Sequence, residues 1–272
     1  MERGLARTSI AVIALSMIAV SPYVAAGPDV TADDIVRHCE YKNPGEDQSS
    51  RLSISLIDKD GNERKNVYER LWKNYHGKDG ILDKMVLFTE FPPDAKGTGF
   101  MRWGYTAASG KLADQWLYLP QLRKIRRVSV RDPGDSFLGS DLTYGDIEER
   151  TADADEHILA RVDELNGVKF HVVESTPKEA RPLYSKKISW YAKVPDLEAC
   201  FRAKTEYYDP QGNLLKTQTL SWQQVDGAWA WDRVEVVNHQ TKHKSLFEVT
   251  DVKVGVGLED RQFTERELKR GS

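Results

Sequence analysis

The stretch Arg51-Leu52-Ser53-Ile54-Ser55-Leu56 alternates polar and apolar side chains without a break. Neighbouring side chains of an extended strand point to opposite faces, so Leu52, Ile54 and Leu56 share a face that leaves water. Arg51, Ser53 and Ser55 face the other way. Asp58-Lys59-Asp60-Gly61-Asn62 comes next and is a turn by chemistry: Asp and Asn side chains bond their own backbone, and glycine takes positive φ freely. A half-buried strand that runs into such a turn predicts antiparallel pairing with the next strand of the chain.

The pattern repeats along the chain. Strands are predicted through Val67 and Leu71 toward Tyr75, then over residues 84–91, 98–105, 115–119 and 122–131. His76-Gly77-Lys78-Asp79-Gly80 and Pro92-Pro93 punctuate them. Beyond a break, strands resume over 156–163, 168–175, 183–193, 200–208, 214–225, 229–238 and 246–254. Asn166-Gly167, Asp209-Pro210-Gln211-Gly212-Asn213 and Asp226-Gly227 turn the chain between them. Upstream of Arg51 lie a polar loop over 43–50 and a two-turn helix, with Thr31 as N-cap and Ile35, Val36 and Cys39 on one face. Thr264 and Glu267 form a capping box for a C-terminal helix, with Phe263 stapled to Leu268. About a dozen strands with few helices and no βαβ alternation predict a mainly β protein, its one large antiparallel sheet forced to curl, split or close. A curled sheet has a concave face, and an apolar concave face is a binding site.

Residues 132–150 are the break. Pro133, Gly134, Gly139 and Gly145 interrupt the alternation, and the segment reads as a loop ending in a short helix, a mobile element that carries Phe137 and Leu138.

The N-terminus predicts export. Arg3 and Arg7 precede an apolar run over 10–20, and Val24-Ala25-Ala26 supplies small residues for cleavage, so residues 1–26 read as a signal peptide. The apolar run is shorter than the roughly 20 residues of a membrane span, which argues against an uncleaved anchor. Residues 27–272 then form a single soluble domain in the periplasm. A net charge of −3 gives no sign of a nucleic-acid partner. Export permits a disulfide between the two cysteines, Cys39 and Cys200, though two separate buried thiols fit the sequence equally well.

Chemistry is hard to find. There is no Gly-x-Ser-x-Gly elbow, phosphate loop or His-Glu-x-x-His pair, and His239 and His243 lack further metal ligands at suitable spacing. No catalytic residue, cofactor or metal is therefore expected, and the chain does not read as an enzyme. A basic run, Arg123-Lys124-Ile125-Arg126-Arg127 with Arg131 beyond it, is either the solvated side of a strand or a rim for head groups or an acidic partner. Aromatic residues cluster between Phe88 and Tyr144. The candidates for lining or covering a cavity are Phe91, Phe100, Trp103, Trp116, Tyr118, Phe137, Leu138 and Tyr144, with ordinary core packing as the alternative. Strand geometry forbids Phe100 and Met101, or Trp116 and Leu117, from facing the same side.

Three segments resemble the outer-membrane lipoprotein-sorting protein family, a LolA-like group. The first is Glu90-Phe91-Pro92-Pro93-Asp94-Ala95-Lys96-Gly97-Thr98-Gly99-Phe100. The second is Asp114-Gln115-Trp116-Leu117-Tyr118-Leu119-Pro120, continuing through Arg126-Arg127 to Ser136-Phe137-Leu138-Gly139-Ser140-Asp141-Leu142-Thr143-Tyr144. The third comprises Tyr208-Asp209 with Gly212 and Lys216, and the Phe263-Thr264 helix start. The resemblance implies an incomplete antiparallel β-barrel with a few short helices covering a hydrophobic cavity. It also implies a periplasmic carrier of lipid or lipoprotein acyl chains, served by an inner-membrane RND-type (MMPL-like) transporter and an outer-membrane acceptor. Two rival functions stay open on the sequence: an accessory subunit that docks an envelope transporter without binding lipid, and a hydrolase of lipid or glycan.

Overall fold

The computed structural model describes residues 30–128 and 132–271. The segment read as a signal peptide lies outside the described residues, and so does Arg131. From Thr31 onward the chain is one compact unit.

Thirteen strands among the described residues make a single sheet. They are β1 (Asp47–Ile57), β2 (Glu63–Asn74), β3 (Ile81–Phe91), β4 (Gly99–Tyr105), β5 (Asp114–Leu119), β6 (Lys124–Val128) and β7 (Asp155–Leu165). β8 (Val168–Pro177), β9 (Lys186–Ala192), β10 (Arg202–Tyr208), β11 (Leu214–Val225), β12 (Ala228–Asn238) and β13 (Lys244–Val254) complete it. Each strand pairs antiparallel with its neighbours in the sheet, and β1 pairs with β13, which joins the two halves of the meander. The order therefore runs from β6 down to β1, then from β13 down to β7. β6 and β7 are the two edges, so the strongly curved sheet is an incomplete barrel with its gap between them.

The register explains the core. Ile54 lies opposite Phe247 and Phe247 opposite Val234; Arg70 lies opposite Leu87 and Leu87 opposite Phe100. These side chains share the concave face, where Leu52, Ile54, Leu56, Leu87, Phe100, Val234, Val236 and Phe247 form one buried cluster. The alternation at Arg51–Leu56 points its apolar residues into that cluster. On the outer face, Val86, Phe88 and Met101 pack against Leu258, Phe263 and Leu268 of the C-terminal segment, with α3 (Glu265–Arg270) laid over β4. Gly99 makes this approach feasible, since a Cβ there would stand 2.7 Å from Leu268 Cδ1. Both faces of β3 are thus covered, which accounts for its unbroken apolar run Met85-Val86-Leu87-Phe88.

The first helix, α1 (Ala32–Cys39), has Thr31 as its cap and buries Ile35, Val36 and Cys39 against Val173 and Tyr191. Eight residues are too few to hold a helix in isolation. Tertiary ties hold it instead. Cys39 is disulfide-bonded to Cys200 with Cα atoms 5.0 Å apart, and the next residue, Glu40, accepts from Arg202 (2.6 Å) and from the Tyr191 hydroxyl (2.7 Å).

Two local expectations need correction. Residues 47–50 belong to β1 and not to a loop: their polar composition concealed a strand because the Asp47, Gln48 and Ser50 side chains are buried yet bonded. Gln48 Nε2 donates to Pro44 O (2.7 Å), and the Asp47 carboxylate accepts from the backbone of Val256 (2.7 Å) and Leu258 (2.9 Å). At α3 only half of the capping box forms. Thr264 Oγ1 accepts from the Glu267 N–H at 3.4 Å, but the Glu267 carboxylate turns to Arg270 (3.0 Å).

Candidate ligand-binding cavity

A cavity of about 280 Å³ opens into the concave face. Its walls come from both halves of the sheet: Leu52, Trp72 and Met85 on one side, Trp222, Trp229, Trp231, Phe247 and Val249 on the other. Four of the chain's seven tryptophans meet here. A β-bulge brings three of them together. Ser221 pairs with Arg233 but Trp222 pairs with Trp231, leaving Asp232 as the extra residue. The bulge shifts the side-chain alternation of β12 by one, so Trp229 and Trp231 face the same side as Val234 and Val236. Trp222 is fixed by its Nε1, which donates to Arg202 O (2.8 Å), and its ring meets Trp229 edge-on at 6.4 Å.

Charged groups also line the cavity. Arg102, 4% exposed, donates to Asp83 (2.9 Å) and Glu148 (2.8 Å). Burial works against its charge, but the two carboxylates more than offset this and hold its pKa above the ordinary arginine value. Gly104 gives the guanidinium room, because a Cβ there would lie 2.5 Å from Arg102 Nη1. Arg70 is placed differently. Its Nη1 donates to Gln48 Oε1 (3.1 Å) and Ser50 Oγ (3.3 Å), both neutral, and burial pushes its pKa down to about 10. Lys42 also lines the cavity, with its ammonium 5.2 Å from the Trp229 ring centre.

The connection between the sheet edges covers the cavity from one side. Phe137 and Ile147 line it, and Leu142 and Tyr144 pack behind them in the concave cluster. The segment ends in the short helix α2 (Tyr144–Ile147). Lys216 of β11 ties it down: its ammonium meets Asp146 Oδ2 at 2.5 Å and donates to Asp141 O at 2.8 Å. The Lys216 and Asp146 side chains are 2% and 1% exposed. Burial disfavours the Asp146 charge, but Lys216 and the Thr143 N–H outweigh it and hold the carboxyl below the usual range. Tyr184 donates to Asp146 Oδ1 (2.9 Å), while His243 and Ser245 engage Asp141 Oδ2 at 2.7 and 2.6 Å. His243 thus braces the covering segment, and His239 bonds Thr217.

The candidate aromatics divide by face. Phe100, Phe137, Leu138 and Tyr144 belong to the concave cluster, with the Phe137 ring 6.1 Å from Phe100 and 5.7 Å from Tyr144. Trp103, Trp116 and Tyr118 do not line the cavity. They point outward and pack under Phe263 and Leu268, because they stand one residue out of step with Phe100 and Leu117. Phe91 is exposed in a shallow outer groove beside Arg51 and Val67. Arg123, Arg126 and Arg127 are exposed in or just before the edge strand β6, and Arg127 pairs with Asp114. Sequence reading missed Trp72, Trp222, Trp229, Trp231, Arg70 and Arg102. The signal available was the density of tryptophan between residues 222 and 231.

A family model carrying only the description of an uncharacterized-protein-like family matches residues 82–270. No curated protein matches the chain. Among solved structures, the chain is similar to a domain assigned to outer membrane lipoprotein-sorting proteins from Vibrio parahaemolyticus. The two share 25% identity at a TM-score of 0.73, over 88% of this chain and 98% of that one. A DUF1329 family protein from Desulfovibrio piger shares the fold at a TM-score of 0.74, with 23% identity over 87% of this chain and 97% of that one. So does a LolA superfamily protein from Nitrosomonas europaea, at 0.62, with 20% identity over 88% and 99%. With the model spanning residues 82–270, the chain belongs to that uncharacterized-protein-like family, and its open barrel is the fold of the outer membrane lipoprotein-sorting domain and LolA superfamily structures it resembles.

Proposed function

We propose that the protein is a periplasmic carrier that shelters the apolar part of a lipid, or the acyl chains of a lipoprotein, during transfer across the cell envelope. The observation that carries this reading is the tryptophan-lined cavity on the concave face, covered by the segment between the sheet edges. Moving an acyl chain from water onto such a surface gains roughly 0.8 kcal/mol per buried CH₂, enough to extract a lipid without chemistry. Delivery then requires the cover to move or a partner to compete. An inner-membrane RND-type exporter as donor and an outer-membrane acceptor complete the route, with export by the signal peptide of residues 1–26 placing the carrier between them. The exposed arginines Arg123, Arg126 and Arg127, with Arg131, are the proposed contact for head groups or for such a partner.

Native mass spectrometry on protein purified from its own host, followed by lipid extraction of the same sample, tests the reading. The expected outcome is a discrete extra mass that disappears on extraction and matches a recovered lipid or lipoprotein. Trp231→Ala should weaken binding of a fluorescent fatty-acid analogue roughly tenfold, equivalent to about 1.4 kcal/mol. A bare mass together with no binding of the analogue would leave an accessory docking subunit as the better account.

A further inference from the structure

Two cations of the cavity lining, Lys42 and Arg70, have no carboxylate within ion-pair distance among the described residues, and Lys42 is spent on the backbone carbonyls of Glu198 and Cys200. Arg102 is shared between Asp83 and Glu148, whereas Arg70 has no acidic partner within ion-pair distance among the described residues. Its two hydrogen bonds both leave from Nη1, so Nε and Nη2 of its five-donor fork make no hydrogen bond to the described residues. A guanidinium in this position costs desolvation free energy that two neutral acceptors recover only in part.

Its location in the register gives the charge a direction. Arg70 lies across from Ser50, one strand step from Gln48 and Trp72, while the apolar residues Leu52, Ile54 and Leu56 continue along β1 away from it. The facing wall is Trp222 and Trp231. The cavity is therefore amphipathic: Arg70 and the Arg102–Asp83 pair stand against apolar walls of Leu52, Met85, Phe247 and Val249. At about 280 Å³ it sits near the lower limit of small-molecule sites, which suits one chain better than several.

We infer that the cavity takes an anionic single-chain amphiphile, whose carboxylate or phosphate pairs with Arg70 while its chain lies against Trp222 and Trp231. The inference rests on the carrier reading and sharpens it by naming the ligand's head group chemistry. An arginine fork matches either anion in bidentate fashion, and a charge-assisted pair of this kind is stronger than a neutral hydrogen bond.

Binding of dodecanoate, dodecyl phosphate and dodecanol, followed through tryptophan fluorescence of the purified protein, tests it. At least one of the two anions should bind tenfold or more tightly than dodecanol, and the tighter one identifies the head group. Arg70→Gln should erase that preference without changing dodecanol affinity, and Arg70→Lys should keep part of it. Equal affinity for the anions and dodecanol, or a preference that survives in Arg70→Gln, would overturn the inference and leave the carrier reading standing. If none of the three binds, the carrier reading falls as well. Should Arg70→Gln fail to fold, the carboxyl ¹³C shift of bound [1-¹³C]dodecanoate decides on the unmodified protein. Pairing with Arg70 keeps the carboxylate ionised to lower pH than in water, while an unpaired carboxyl in an apolar cavity titrates at higher pH and refutes the pairing.

Discussion

Lys216 and Asp146 illustrate how much one buried pair decides. The lysine comes from β11 and the aspartate from the covering segment, and nothing in their sequence spacing announces the contact. A lysine in a strand reads as solvent-facing; here it is among the most buried large side chains of the protein. Removing one partner of such a pair strands the other charge, so Lys216→Met should cost about 3–5 kcal/mol in urea unfolding. Replacing both by apolar residues, Lys216→Met with Asp146→Leu, should restore most of that. The pair also sets a pH response. The folded pKa of Asp146 lies below its unfolded value, so the stability it contributes is present above the ordinary aspartate range near about 3.9. It is lost as pH falls through the lower folded pKa. The wild-type melting temperature should therefore fall more steeply below about pH 4 than that of the double variant. Parallel profiles would remove the pair as a determinant of acid stability.

At the scale of elements, periodicity served well wherever one face of a strand was apolar and the other wet. Leu52, Ile54 and Leu56 face the core as their alternation requires. In two physically distinct places parity alone did not assign the faces. The bulge at Asp232 changes the phase of β12, so residues on either side of it that look out of step share one face, and the sequence carries no mark of it. Along β4 and β5 both faces are covered, so Trp103 and Trp116 are as apolar as Phe100 yet belong to the outer layer beneath α3. The disulfide posed a different difficulty, since pairing depends on a Cα separation that only the fold supplies. With a sequence separation of 161 between Cys39 and Cys200, the bridge closes a long loop and restrains the unfolded chain accordingly. Cys39→Ser combined with Cys200→Ser should lower stability by about 2–5 kcal/mol, read as a shift in the urea midpoint, and dithiothreitol should reproduce the shift in the wild type. No shift would mean that Glu40–Arg202 and the packing of Ile35 and Val36 suffice to seat α1.

The whole molecule is a sheet with a deliberate gap. A closed barrel has no edges, whereas this one keeps two, and they are protected unequally. β6 carries exposed Lys124, Arg126 and Arg127, the kind of charge that discourages strand addition, while β7 exposes Ile158 and Val162. The glycines and prolines of residues 132–150 made the interruption legible, but not that Phe137, Leu142 and Tyr144 would fill the concave core. Their burial alters what the segment is expected to do. Truncating Phe137 should cost stability as well as ligand retention, because the residue is both cover and core. The sheet and its cover nevertheless differ in how they are held. β1 is hydrogen-bonded on both sides along its length, and β13 is bonded to β1 throughout and to β12 over Lys244–Glu248, while the cover depends on a few side-chain ties through Asp141 and Asp146. Local opening should accordingly begin in the cover. Hydrogen exchange measured by mass spectrometry should find residues 137–147 exchanging faster than β1 and β13 in the ligand-free protein. Dodecanoate should slow them while leaving the two strands unchanged. Protection of 137–147 equal to that of β1 would make the segment a fixed plug, and ligand would then have to enter past Lys42 and Trp229.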